Sequence, residues 1–210
     1  MLKLRKSMMT LSAPTAQPAT LRRLDTSNAA TLVHLSASFE DLQTVLRCCE
    51  RLVSALTPGD DPPDDVLIEA VWTTALLSYG RCFSYGRAGA NLTENDLAAT
   101  NLKGDLPDWH RVLLKLRDHY TSRTTNPREL FSVGLAQDPD GAANGIAITS
   151  ARQPLVEDLA VRQTGAIALA LSDMVDARIT ALQPKIFAEY KDTPKSELDK
   201  LPRFEVSDTP

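Results

Sequence analysis

Apolar side chains recur every three or four residues through the longest patterned stretch of this sequence, from about Asn28 to Leu56. This spacing places them along one face of an α-helix, and Ser27 stands in the N-cap position. The segment TPGDDPPDD then ends the helix, because it combines proline and glycine with a cluster of acids. The pattern therefore predicts a long amphipathic helix at the start of an all-α fold.

Three further helices follow from the same spacing. The stretch from about Asp64 to Gly86 is apolar nearly all round, which predicts the most buried helix. TENDLAATN predicts a short helix, since Thr93 and Asp96 resemble a capping box. A helix that begins at Asp105 or Pro107 ends in RDHYTSR.

The period changes to two after Leu130, where apolar and small residues alternate on both sides of the turn sequence DPDGAANG. This change predicts a β-hairpin at about 130–149. A last long helix is predicted from about Leu155, with Pro184 kinking or stopping it. The fold class expected is all-α, with a four- to five-helix bundle and an inserted β-hairpin.

Both ends of the chain are predicted to be disordered, which leaves a single helical domain at 27–190. Residues 1–26 form a basic extension, with no acid before Asp25. Their composition also resembles an organelle transit peptide, but a disordered extension is favoured. Residues 191–210 form a charged, proline-rich tail.

Charge and cysteine usage exclude several classes of protein. The formal net charge of −4 argues against bulk electrostatic binding of nucleic acid, so any such contact would be local. The three cysteines include the adjacent pair Cys48 and Cys49, which cannot form an unstrained disulfide with each other. A cytoplasmic protein is expected, without a membrane-spanning segment.

No metal or cofactor is expected. The three histidines and three cysteines show no CxxC, HxxxH or HExxH spacing. The sequence also contains no GxGxxG and no GxxxxGK[ST], so neither a dinucleotide nor a P-loop nucleotide site is indicated.

Arginines concentrate between Arg81 and Arg128, where the local charge is positive within an acidic chain. Arginine suits phosphate because its planar fork donates two parallel hydrogen bonds. His110 and Arg117 are seven residues apart, so they lie on one stripe of a helix. His119 points about 160° away from Arg117 around the same helix. The arginines also fit ordinary solvated helix faces.

Two stretches, AVWTTALLSYGRCFSYGR (70–87) and WHRVLLKLRDHYTSRTTNPREL (109–130), resemble the HEPN (higher eukaryotes and prokaryotes nucleotide-binding) superfamily. These all-α domains occur in toxins, abortive-infection proteins and RNA-processing factors. The resemblance implies a HEPN-like bundle, a homodimer, and a metal-independent RNA-cleaving site that pairs an arginine with a histidine. Arg117 and Asp118 match the arginine and its polar neighbour in the family motif.

The motif histidine falls on Arg123, which departs from the family. Arginine stays protonated at neutral pH and is a very poor general base. We therefore expect a degenerate, non-catalytic HEPN-like protein of a defence or toxin context. It would bind RNA, a nucleotide or a protein partner through Arg81, His110, Arg117 and Arg123.

Two alternatives stay open. One is a metal-independent endoribonuclease with Arg117, Asp118 and His119 as catalytic residues, or with His110 in place of His119. The other is a helical structural or interaction protein unrelated to nucleic acid, in which Arg117 and Asp118 are surface charges.

Overall fold

The computed structural model of the chain describes residues 20–58, 62–84 and 91–204. The described part is mostly helical with two small antiparallel sheets, which confirms an all-α class with small β insertions. A HEPN-like bundle stays a prediction. The elements in chain order are β1 (Leu21–Arg22), α1 (Ser27–Leu56), α2 (Asp65–Cys82), α3 (Glu94–Ala99), α4 (Leu106–Tyr120), β2 (Glu129–Gln137), β3 (Ala143–Arg152), α5 (Asp158–Tyr190), α6 (Lys195–Leu198) and β4 (Arg203–Phe204).

The chain divides into two compact units. The first comprises residues 1–40, 85–91 and 172–210, and the second comprises 41–84 and 92–171. Helices α1 and α5 contribute residues to both. The single domain expected at 27–190 stays a prediction.

Helix α2 is central to the second unit, as its all-round apolar sequence predicts. It packs against α4, which also packs against α3. Eight of its residues are buried, among them Trp72 and Tyr79. Trp109 of α4 donates a hydrogen bond from Nε1 to Oγ1 of Thr164 in α5, at 3.3 Å. The apolar interior of this unit therefore lies along α2.

Side chains cap the starts of α2 and α3. The Asp64 carboxylate accepts from the backbone N–H of Leu67 at 3.0 Å, at the start of α2. Before α3, the carboxylate of Asp96 accepts from the backbone N–H of Thr93 at 2.7 Å and from its hydroxyl at 2.9 Å. The short helix predicted from TENDLAATN is confirmed.

Strands β2 and β3 form the predicted antiparallel hairpin, slightly longer than expected. Glu129 pairs with Arg152 at its base, and a register shift follows Ala136. In the connecting turn, Gly141 adopts a φ of 84°, a left-handed conformation that glycine accepts readily.

The first unit corrects the prediction of a fully disordered tail. Strand β4 pairs with β1, and α6 lies just before β4. The guanidinium of Arg22 donates to the carbonyls of Asp199 at 3.0 Å and Leu201 at 2.8 Å. These contacts join segments distant in sequence, which composition does not reveal. Residues 1–19 of the expected extension and 205–210 of the tail lie outside the described residues.

Pro184 was expected either to kink the last helix or to stop it, and it does not stop it. Helix α5 continues through it to Tyr190. An interior proline removes one backbone hydrogen bond and costs about 3 kcal/mol. Ile186 is buried just beyond the proline, so its packing helps to offset that cost.

Candidate functional site

Helix α4 places His110 and Arg117 on one stripe, as their spacing predicts. Asp105 is the N-cap of this helix, and its side chain accepts from the backbone N–H of Asp108 at 3.1 Å. Leu113 is fully buried on the same side. The stripe therefore faces α2, against which α4 packs.

His110 is enclosed by aromatic residues of α2 and its C-cap. Its side chain is buried, with 4% of the residue exposed. The hydroxyl of Tyr79 lies 2.8 Å from Nδ1 of His110, and the ring centroid of Phe83 lies 4.3 Å from that of His110. Burial lowers the pKa of His110, and the nearby positive charge of Arg117 lowers it further against an opposing effect of Glu94. His110 is therefore a neutral, hydrogen-bonded core residue at physiological pH.

Arg117 lies across Gly80 of α2. A methyl group at Gly80 would lie 2.5 Å from Cδ and 2.9 Å from Nη1 of Arg117, so the arginine side chain would have to move aside to admit it. The Arg117 side chain is 28% exposed. Nε and Nη2 of Arg117 donate to Oδ1 of the exposed Asp118 at 2.9 and 2.7 Å. The Arg117 side chain thus packs closely against α2, while part of it still faces solvent.

Arg81 has partners of its own. Its Nε donates to the Asp41 carboxylate, 2.9 Å from Oδ2, and its Nη2 donates to the hydroxyl of Ser78 at 2.9 Å. Asp41 belongs to α1, so this ion pair ties α1 to the end of α2. Its contacts give Arg81 a structural role, and its expected part in binding stays a prediction.

The remaining expected site residues lie at and beyond the end of α4. His119 is partly buried near Tyr120, with 5.9 Å between their ring centroids. Since α4 is helical through Tyr120, His119 stays on a different side of the helix from Arg117. Arg123 is exposed in the loop after α4, and within the described ranges it makes no hydrogen bond or ion pair. The structure therefore places His110 and Arg117 on the same stripe of α4, and His119 outside it.

Two residues of this site were not identified from the sequence. Tyr79 is the hydrogen-bond partner of His110, and Gly80 is the surface on which Arg117 rests. The available signal was their position inside an apolar helix. A buried tyrosine hydroxyl needs a partner, and a glycine inside a helix often marks a close approach.

The cysteines carry no activated thiol. None of the three forms a disulfide among the described residues, and burial raises the pKa of Cys49 and of Cys82 to about 12 each. No group of three or more metal-binding side chains occurs among the described residues. Within the same ranges, none of the helices combines the length and hydropathy that crossing a membrane requires.

Comparison with known proteins finds no family model, no curated protein and no solved structure that matches this chain. A function can therefore be proposed only from the geometry of the α2 and α4 site.

Proposed function

We propose that this protein is a non-catalytic, HEPN-like helical protein that binds a phosphate group of RNA or of a nucleotide through Arg117. The observation that carries the proposal is the close packing of the Arg117 side chain against Gly80. A guanidinium held in one place loses little conformational freedom when it binds, and its fork matches two phosphate oxygens.

The ion pair with Asp118 is compatible with binding. Asp118 is largely exposed, and exposed ion pairs contribute only about 0–1 kcal/mol. A phosphate competes well with such a partner, because two of its oxygens can accept from the guanidinium in parallel. Arg123 in the following loop adds a second exposed positive charge and would replace the motif histidine as an anion-holding group.

The surroundings of the histidines support binding without turnover. A general base must reach the proton that it removes, and His110 is buried with its Nδ1 engaged by Tyr79. His119 would require α4 to unwind after Arg117, whereas the helix is regular to Tyr120. Loss of a positioned acid or base typically lowers a rate by about 10²–10⁴.

One observation favours the endoribonuclease as a second candidate. The charge of Arg117 contributes to the lowered pKa of His110, so the two groups share one neighbourhood. In that case Nε2 of His110 would transfer the proton while Arg117 stabilises the phosphate. The two candidates make opposite predictions about RNA integrity.

The test is binding of inorganic phosphate and of a short single-stranded RNA at low salt, by calorimetry and fluorescence anisotropy. Charge-assisted hydrogen bonds contribute about 1.5–3 kcal/mol, so Arg117→Ala should weaken binding by at least about 10-fold. Arg111→Ala is the matched control, since Arg111 is an exposed arginine of the same helix paired with Asp108. It should retain phosphate affinity.

The outcomes separate the candidates. Equal binding by the Arg117→Ala and Arg111→Ala variants, or no binding by the wild type, would leave a structural or interaction protein. RNA fragments with cyclic phosphate ends, formed in EDTA and lost in His110→Ala, would establish the endoribonuclease instead.

A further inference from the structure

One face of the β2–β3 hairpin is apolar and uncovered. Val133 lies opposite Ile148, and Leu135 lies opposite Ile146, so all four side chains share a face with Phe131. These five residues, here called the apolar face, are each between 59% and 72% exposed. The other face carries mainly small or hydroxyl side chains at the paired positions Ser132 and Thr149, Gly134 and Ala147, and Ala136 and Gly145.

The two strands of the hairpin supply little stability by themselves. The part of the sheet that the structure describes has only two strands, and isolated two-stranded hairpins are marginally stable in water. Its base is joined to α2 by two ion pairs, Arg128 with Glu69 and Arg152 with Asp65. These contacts anchor the base and leave the apolar face in solvent.

We propose that the apolar face is a homodimerisation surface, on which the same face of a second copy packs. With on the order of 100 Å² of exposed area per side chain, five residues supply about 500 Å² per copy and about 1,000 Å² per pair. Stable interfaces begin near 1,200 Å² in total, and the strand backbones and the rim supply the remainder. An apolar patch of this size is at the upper range for a monomer.

Charge favours a second copy arranged antiparallel. The strands carry no charged residue from 130 to 137 or from 143 to 151, so two identical faces meet without repulsion. The turn contains Asp138 and Asp140, whereas the base carries the exposed Arg128 and Arg152, each paired with an acid of α2, beside Glu129. A two-fold axis through the centre of the face keeps the two acidic turns apart and places each beside the arginines of the other hairpin.

The test is sedimentation velocity of the full chain over a wide range of concentration. The variants are Ile148→Lys on the apolar face and Thr149→Lys on the opposite face, which are neighbours in the same strand. The wild type and Thr149→Lys should be dimeric, and Ile148→Lys should raise the dissociation constant by at least about 10-fold. Circular dichroism checks that both variants keep the wild-type helix content.

Three outcomes would overturn the proposal. They are a wild type that stays monomeric, equal weakening by both lysine variants, and a dimer that Ile148→Lys leaves intact. The inference does not rest on phosphate binding, because Arg117 lies outside the hairpin and Ile148→Lys should keep phosphate affinity.

Discussion

Gly80→Ala tests whether the packing of Arg117 on α2 matters for phosphate binding. In the interior of a helix, alanine is more favourable than glycine by about 1 kcal/mol. The new methyl group would lie 2.5 Å from Cδ of Arg117, although carbon atoms pack best at about 3.5–4.0 Å. The side chain must therefore move by about 1 Å, and the packing that its stem loses is about 0.8 kcal/mol per methylene group. The two effects nearly cancel in the free energy of unfolding.

Phosphate affinity should respond differently from stability. Displacement of the guanidinium removes its prearranged position, and we expect an affinity loss of about 10-fold, in the lower range for a charge-assisted hydrogen bond. Gly165→Ala is the matched control, because its new methyl group would meet Cβ of Cys49 at 3.4 Å, an ordinary contact. That variant should gain about 0.5–1 kcal/mol of stability and keep its affinity.

Urea denaturation and phosphate calorimetry on the two variants provide both measurements. Wild-type affinity in Gly80→Ala, together with lost affinity in Arg117→Ala, would refute the argument that Gly80 positions the guanidinium. A loss of stability above about 2 kcal/mol in Gly80→Ala would show that Arg117 cannot move aside.

Tyr79→Phe should lower the free energy of unfolding by about 1–3 kcal/mol in urea denaturation, because Nδ1 of His110 is left buried without its partner; a cost below about 0.5 kcal/mol would contradict this. The folded-state pKa of His110 lies below the usual 6.5, so the unfolded chain takes up this proton first as the pH falls. The free energy of unfolding is therefore unaffected by this proton above about pH 6.5 and decreases as the pH falls towards the lowered pKa. A His110→Gln variant measured in parallel should lack that decrease. Asp96→Ala should destabilise α3 by about 1 kcal/mol, seen as faster amide exchange in α3 alone, since Thr93 loses both bonds to the carboxylate; unchanged exchange would argue against the capping box.

The helices were predictable because their causes are local. Apolar spacing and the Thr93 capping box act within a few residues, and both appear in the structure. The predicted N-cap, Ser27, is instead the first residue of α1, and the preceding Thr26 accepts from the backbone N–H of Ala29 at 3.2 Å. Pro184 shows where local rules end. Its effect on α5 depends on what is packed beyond it, and the buried Ile186 is not visible as such in the sequence.

The candidate site divides in the same way. Helical geometry alone places His110 and Arg117 on one stripe, and the sequence alone shows that Arg123 stands where the family motif has a histidine. The burial of His110 and its bond to Tyr79 depend on the packing of α2 against α4, and so does the contact between Arg117 and Gly80.

The sequence by itself determined the helix positions, the hairpin and the spacing of the charged residues, since each follows from interactions between near neighbours. Only the tertiary structure decided that the tail pairs through β4 with β1, that Arg81 is bonded to Asp41, and that the hairpin presents an uncovered apolar face. The first two features join residues that are distant in the chain, and the third depends on whether another part of the chain packs over the hairpin. Neither property is encoded in any one segment.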